Sequence, residues 1–332
     1  MKYEEIIRDL KNKVYHPIYL LFGEEEFFID QISDYIEEHV LEEAEKEFNQ
    51  AVLYGMETDV QTLVAQAKRF PMMASYNVII VKEAQNLKNM DQLLEYSKQP
   101  SPTTILVLNY KHKKPDGRMG FVKQMKKQGV FFHSKALYPN QVPAWVESYL
   151  KSKKFSINPR ACQILVESLG AELSKISNEL DKLILTLSEP KEINAQDIER
   201  NIGISKDYNV FELNSALGSR DVVKANKIIT YFAKNGKDHP PARVLPMVYS
   251  YFSKLLLYHT VASKDRKAIA ATLGISPFFI KDYAVGASNF SIKKIARVIS
   301  ALRKADTHSK GIGGGELSEA DIFKELVYEI LH

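Results

Sequence analysis

The stretch with the most suggestive spacing for chemistry is Gly23-Glu24-Glu25-Glu26-Phe27-Phe28-Ile29-Asp30. It follows an apolar run, Pro17-Ile18-Tyr19-Leu20-Leu21-Phe22, that reads as a buried strand, and it leads into a helical pattern. A strand–loop–helix junction of this kind is where a phosphate-binding loop sits, G-x-x-x-x-G-K-[ST], with backbone N–H groups and a lysine around the phosphates. Set on Gly23, the motif puts Phe28 at the second glycine, Ile29 at the lysine and Asp30 at the hydroxyl, with three glutamates in the interior. Carboxylates there repel a polyphosphate. The strand Val78-Ile79-Ile80-Val81 matches the strand that carries the metal-holding acid of P-loop ATPases, yet Lys82 stands at the aspartate position. An ammonium cannot ligate Mg²⁺. Either a nucleotide site has been lost here, or these are ordinary strand-to-helix junctions; both readings predict no ATP hydrolysis.

Other chemistry is sparse. The eight histidines, His16, His39, His112, His133, His239, His259, His308 and His332, show no metal-ligand spacing. Gly236-Lys237 is followed by Asp238, and no G-x-S-x-G elbow occurs. Cys162 lies in an apolar helical pattern and reads as a core filler. The expectation is a chain with no catalytic residues, no cofactor and no metal.

The elements that position these residues alternate over the first ~140 residues, as expected of crossover connections in a parallel sheet covered on both faces. Tyr3, Ile6, Ile7 and Leu10 mark a first helix, and Phe27, Ile32, Tyr35, Ile36 and Val40 the inner side of a long one after Gly23. Further strands are expected at Phe48–Tyr54, Asn77–Val81, Thr103–Asn109 and Gly129–His133, separated by helices near Asp59–Lys68, Leu87–Lys98 and Arg118–Lys127. After Pro139 the strand signal stops. Helices are expected at Pro143–Lys151, Pro159–Leu169, Glu172–Leu187 and Ala195–Ile202, then from Phe211 through a last helix, Ser318–Leu331, that follows the glycine run Gly311 to Gly315. The fold class is thus an α/β N-terminal domain with a P-loop NTPase-like parallel sheet, followed by two all-α domains. The boundaries are 1–140, 141–208 and 209–332.

Bulk properties agree with a multidomain globular protein. A chain of 332 residues is too long for one core. Its single cysteine excludes an internal disulfide framework and fits a reducing compartment. No apolar run approaches the ~20 residues that span a bilayer, and the N-terminus lacks a signal-peptide core. A cytoplasmic location with no membrane partner is the expectation. The net charge is +4. Acidic residues crowd the first fifty positions, and lysines cluster at Lys111/Lys113/Lys114, Lys123/Lys126/Lys127 and Lys151/Lys153/Lys154. Such clusters can contact phosphates, though most are solvated faces.

The order of several motifs resembles the delta subunit of bacterial DNA polymerase III, a component of the sliding-clamp loader. They are Pro17–Glu25, then Phe70-Pro71-Met72-Met73-Ala74-Ser75 before the Val78–Val81 strand, then Leu169–Leu183, Asn209-Val210-Phe211-Glu212-Leu213, and Leu273-Gly274-Ile275-Ser276-Pro277-Phe278. The resemblance spans essentially the whole chain. It implies two AAA+-like domains without a working nucleotide site and a helical collar that oligomerises. It also implies as partners the sliding clamp (beta), the ATPase subunits and delta-prime in a five-subunit ring, and primed DNA within that complex. Delta binds the clamp and helps open it without hydrolysing ATP; nucleotidyltransferase activity belongs to the polymerase assembly. The family's clamp-binding apolar pair falls on Met72-Met73, where the family often has Leu-Phe, with Phe70 as a further anchor. Read without the resemblance, Phe70, Met72 and Met73 would pack under the following strand. Two alternatives compete with a clamp-loader subunit: an AAA+-type ATPase with a disguised site, and a stand-alone DNA-binding protein using the lysine clusters.

Overall fold

Continuous apolar runs dictate strands buried on both faces, and five of them form one parallel sheet: β1 (Ile18–Gly23), β2 (Gln50–Tyr54), β3 (Asn77–Lys82), β4 (Thr104–Lys111) and β5 (Val130–Ser134). The order across the sheet is β2-β3-β4-β1-β5, and every pairing is parallel. A computed structural model of the chain describes residues 1–187, 189–263, 265–312 and 317–332. The chain divides into two compact units, Met1–Leu137 and Tyr138–His332.

In the first unit, alternate residues of each strand serve opposite cores. Tyr19, Leu21, Val78, Ile80, Ile105 and Val107 face α1 (Tyr3–Lys11) and α2 (Glu26–His39). Leu20, Phe22, Ile79, Val81, Leu106 and Leu108 face α4 (Val60–Ala67), α5 (Leu93–Lys98) and α6 (Gly120–Gln128). A short acidic helix, α3 (Glu43–Asn49), precedes β2. It was not expected as a separate element, and it takes Phe48 out of the strand. The single helix expected over Leu87–Lys98 is broken: Asn89 adopts a left-handed conformation (φ 55°), and two 3₁₀ turns precede α5. Asp91 in the second turn accepts a hydrogen bond from the Phe121 N–H at 2.8 Å. A carboxylate thereby satisfies the start of α6, which lacks a side-chain cap of its own.

The second unit is helical, with one exception to the expected end of strand structure. Ser156–Ile157 pairs in parallel with Glu192–Ile193 as β6 and β7. Two residues per strand are too few to create a readable alternation. The helices are α7 (Val142–Ser152), α8 (Pro159–Leu169), α9 (Leu173–Thr186), α10 (Ala195–Ile202), α11 (Val210–Ser219), α12 (Val222–Lys234), α13 (Pro241–Thr260), α14 (Arg266–Leu273), α15 (Ile280–Asn289), α16 (Ile292–Ser309) and α17 (Glu319–Leu331). Their ends follow local chemistry. Asn209 caps α11 through the Glu212 N–H, Gly274 ends α14 in the left-handed region, and Ser318 accepts the Asp321 N–H to open α17. Pro246 lies inside α13. Of the glycine run, Gly313 to Gly315 fall outside the described residues. Cys162 is buried, and burial pushes its thiol up to about 12. Among the described residues no single helix is long and apolar enough to cross a membrane.

Candidate functional site

Two places in the first unit carry the residues singled out above, and the first is the junction after β1. Ligands of open parallel sheets lie beyond the carboxyl ends of the strands. Here those ends are Gly23, Tyr54, Lys82, Lys111 and Ser134. Gly23 (φ 140°) presses against β5 so closely that a Cβ would lie 1.8 Å from the Ser134 carbonyl oxygen. Only two residues, Glu24 and Glu25, separate β1 from α2. The first helical turn therefore begins three residues after Gly23.

What fills the junction is the chain itself. Glu25 is the N-cap of α2, and its carboxylate accepts the Phe27 N–H at 3.0 Å. The helix N-terminus, a ready anion site, holds its own anion. Lys111, at the end of β4, sets its ammonium 2.7 Å from Asp30 Oδ1 and 3.2 Å from Glu26 Oε2. Burial alone would pull the pKa of Lys111 down; hydrogen bonds and charges from Asp30 and Glu26 outweigh it and hold the pKa above its ordinary value. His112 Nδ1 lies 3.3 Å from Glu26. Ile29, at the position of the motif lysine, is fully buried in the core beneath α2. Phe28 stacks at a tilt on Tyr3, with ring centroids 4.8 Å apart. Lys82 pairs with Glu37 at 3.5 Å. The junction thus brings Glu26, Asp30 and Lys111 together, while Phe28, Ile29 and Lys82 serve packing or a separate ion pair.

The second place is the segment between α4 and β3. Asp59 caps α4 through the Thr62 N–H, and Leu63 and Ala67 hold it to the core. Beyond it Phe70 is 86 % exposed, Met72 59 % and Met73 101 %. These side chains do not pack under β3; Ala74 and Tyr76 do so instead. Met73 sits at φ 54°, a left-handed conformation that costs a non-glycine residue about 1–2 kcal/mol. The loop is nevertheless tied at three points. Asn77 Nδ2 donates to the Gln66 carbonyl, and the Asn77 N–H donates to Thr103. Between them, Asn49 accepts the Met72 N–H (2.6 Å) and donates to the Met72 carbonyl (2.9 Å). The result is an apolar tip, fixed in backbone, with its side chains in water. Contiguous exposure of large apolar groups is uncommon unless they meet a partner. Reading by pattern missed Asn49, whose long-range hydrogen bonds leave no periodic signal.

The chain is thus a parallel α/β unit, with a β1–α2 junction filled by its own charged side chains and an exposed apolar loop after α4, followed in sequence by a helical unit. Comparison with known proteins makes this specific. Residues 19–135 match the family model of the DNA polymerase III delta subunit, and residues 207–320 match that of the delta subunit's C-terminal domain. The chain is 25 % identical over 318 residues to DNA polymerase III subunit delta of Bacillus subtilis, covering 92 % of this chain and 91 % of that one. It is 23 % identical over 311 residues to the probable subunit delta of Aquifex aeolicus, covering 88 % and 86 %. The solved structure of the Bacillus subtilis DNA clamp loader delta protein shares the fold, with a TM-score of 0.54 at 23 % identity and 99 % of each chain covered. This chain belongs to the DNA polymerase III delta subunit family.

The family motifs now have physical content. In Asn209–Leu213, Asn209 caps α11, Phe211 meets Phe279 edge-on, and Glu212, almost fully buried, pairs with Arg160 of α8 and Lys224 of α12. In Leu169–Leu183, Leu173, Ile176, Leu180 and Leu183 form the buried stripe of α9.

Proposed function

We propose that this chain is the clamp-binding delta subunit of a clamp loader. It works in the cytoplasm on replicating DNA and inserts Met72 and Met73, with Phe70 beside them, into an apolar pocket of the sliding clamp. The observation that carries this is the exposure of that methionine pair on a loop whose backbone is tied down. Methionine is flexible and polarisable and fits irregular apolar pockets, and buried apolar anchors dominate interface energetics.

The chain hydrolyses no ATP under this reading. Its helix N-terminus is occupied by Glu25, its junction by the Lys111–Asp30–Glu26 cluster, and the motif lysine position by a buried isoleucine. Coupling to ATP then comes from neighbouring ATPase subunits and delta-prime in a five-membered ring, whose states differ in how well they let delta meet the clamp. Residues 141–208 act as a lid-type helical domain and 209–332 as the collar through which the ring assembles around primed DNA.

The test is gel filtration of the purified chain with its cognate sliding clamp in the absence of nucleotide. A co-eluting complex is expected from the parent and not from Met72→Ala/Met73→Ala. A parent that does not co-elute contradicts the reading. A double variant that still co-elutes contradicts the site.

A further inference from the structure

Met72 and Met73 are not simply left over on the surface. The Asn49 side chain is 2 % exposed, and its three hydrogen bonds are all to backbone. Nδ2 donates to Glu45 O and to Met72 O, both at 2.9 Å, and Oδ1 accepts from Met72 N at 2.6 Å. Paired donation and acceptance with the N–H and C=O of one residue copies a β-ladder pair. It joins the last turn of α3 to a loop 23 residues further along the chain. Met73, the next residue, is held in the left-handed region with its side chain wholly exposed.

We infer that Asn49 is a positioning residue for clamp binding: its amide holds both backbone groups of Met72, and so fixes the direction in which the methionine pair points before the clamp arrives. The inference rests on the reading of Met72 and Met73 as the clamp contact. The physical reason is pre-organisation. A binding conformation populated only part of the time lowers apparent affinity by that fraction. A tip that needs a strained φ is populated little without a restraint. A carboxamide sets a donor and an acceptor side by side at the reach this pair of bonds needs. Aspartate, nearly isosteric, would still accept the Met72 N–H but would turn an acceptor towards the Met72 and Glu45 carbonyls.

The experiment compares the full-length parent, Asn49→Asp, Asn49→Ala and Met72→Ala/Met73→Ala. Clamp affinity is measured in parallel with amide hydrogen exchange of residues 70–75 and of β1 and β3. Losing the two bonds to Met72 should weaken clamp binding about tenfold. Exchange at 70–75 should quicken in both Asn49 variants while β1 and β3 keep the parent's protection. Asn49→Ser, which is smaller and uncharged, stands in for the aspartate variant if that one fails to fold. Parent-like affinity in the Asn49 variants, with binding lost in Met72→Ala/Met73→Ala, overturns the role of Asn49 and leaves the proposed function intact. Weaker binding accompanied by faster exchange throughout β1 and β3 also overturns it, since Asn49 would then serve folding alone. Parent-like binding by Met72→Ala/Met73→Ala overturns the clamp-contact reading and this inference with it.

Discussion

Gly23→Ala tests whether the first glycine of the apparent phosphate motif serves strand packing instead. The added Cβ would lie 1.8 Å from the Ser134 carbonyl oxygen and 2.7 Å from its carbon, both backbone atoms in β5 that no side-chain rotation can move. To relieve the overlap β5 must slide away from β1, giving up the Glu24 N–H to Ser134 carbonyl bond (3.0 Å) and the Ser134 hydroxyl to Glu25 carbonyl bond (2.6 Å). Two such bonds are worth about 1 kcal/mol each, and a positive φ on alanine adds about 1–3 kcal/mol of strain. The total is roughly 3–5 kcal/mol. Native-state hydrogen exchange at β1 and β5 reads it directly, and these amides should exchange on the order of a hundredfold to several thousandfold faster. The single tryptophan, Trp145, lies in α7 of the second unit, so its fluorescence transition in urea provides an internal reference and should stay in place. Exchange at β1 and β5 within tenfold of the parent would refute the packing role.

Two further substitutions probe the junction and the helical unit. Ile29→Lys restores the motif lysine in sequence but drives an ammonium into a fully buried site, so a loss of roughly 3–5 kcal/mol is expected instead of nucleotide binding. A folded Ile29→Lys protein that binds Mg·ATP by calorimetry would contradict the account of the junction. Glu167 in α8 accepts a hydrogen bond from Gln163 Nε2 (2.6 Å), and burial pushes its carboxyl up to about 7, against smaller opposing effects from Gln163, Lys254 and the Phe211 backbone N–H. Its folded-state pKa lies above its ordinary value, so its stabilising contribution is complete below about pH 4.5 and is lost as pH rises through 7. Glu167→Gln should melt like the parent at pH 4.5 and be more stable by about 1–3 kcal/mol at pH 8, the residue's partial exposure discounting the full shift. A stability gap that does not change with pH would show that Glu167 does not titrate in this way.

Much of the architecture was legible because burial on both faces leaves uninterrupted apolar runs. Ile18–Phe22, Val78–Val81 and Ile105–Leu108 announce central strands, and their spacing implies the helices that cross over between them. What could not be read depends on contacts remote in sequence or on elements too short for a period. The helix α3 spans seven residues without an apolar stripe, and β6 and β7 hold two residues each. From residue type alone, Phe28, Ile29 and Asp30 depart from a phosphate-binding motif. That Lys111, 81 residues from Asp30, pairs with it across the junction required the fold. The same is true of the Met pair. Residue type permits a core or a surface role, and only the geometry of the α4–β3 loop puts both side chains in solvent.

Clamp affinity of the full-length chain, measured by calorimetry without nucleotide, bears most directly on the function. Burial of a methionine side chain is worth about 1.5–3 kcal/mol, and not all of each exposed surface is covered on binding. Met72→Ala/Met73→Ala should therefore weaken the complex by about 3–4 kcal/mol, or a hundredfold to a thousandfold in Kd. The thermal unfolding of the variant should match the parent's, because neither side chain is buried in the free chain. A double variant that binds the clamp within threefold of the parent would contradict the placement of the contact at Met72 and Met73, and a parent that shows no affinity for the clamp would contradict the function itself.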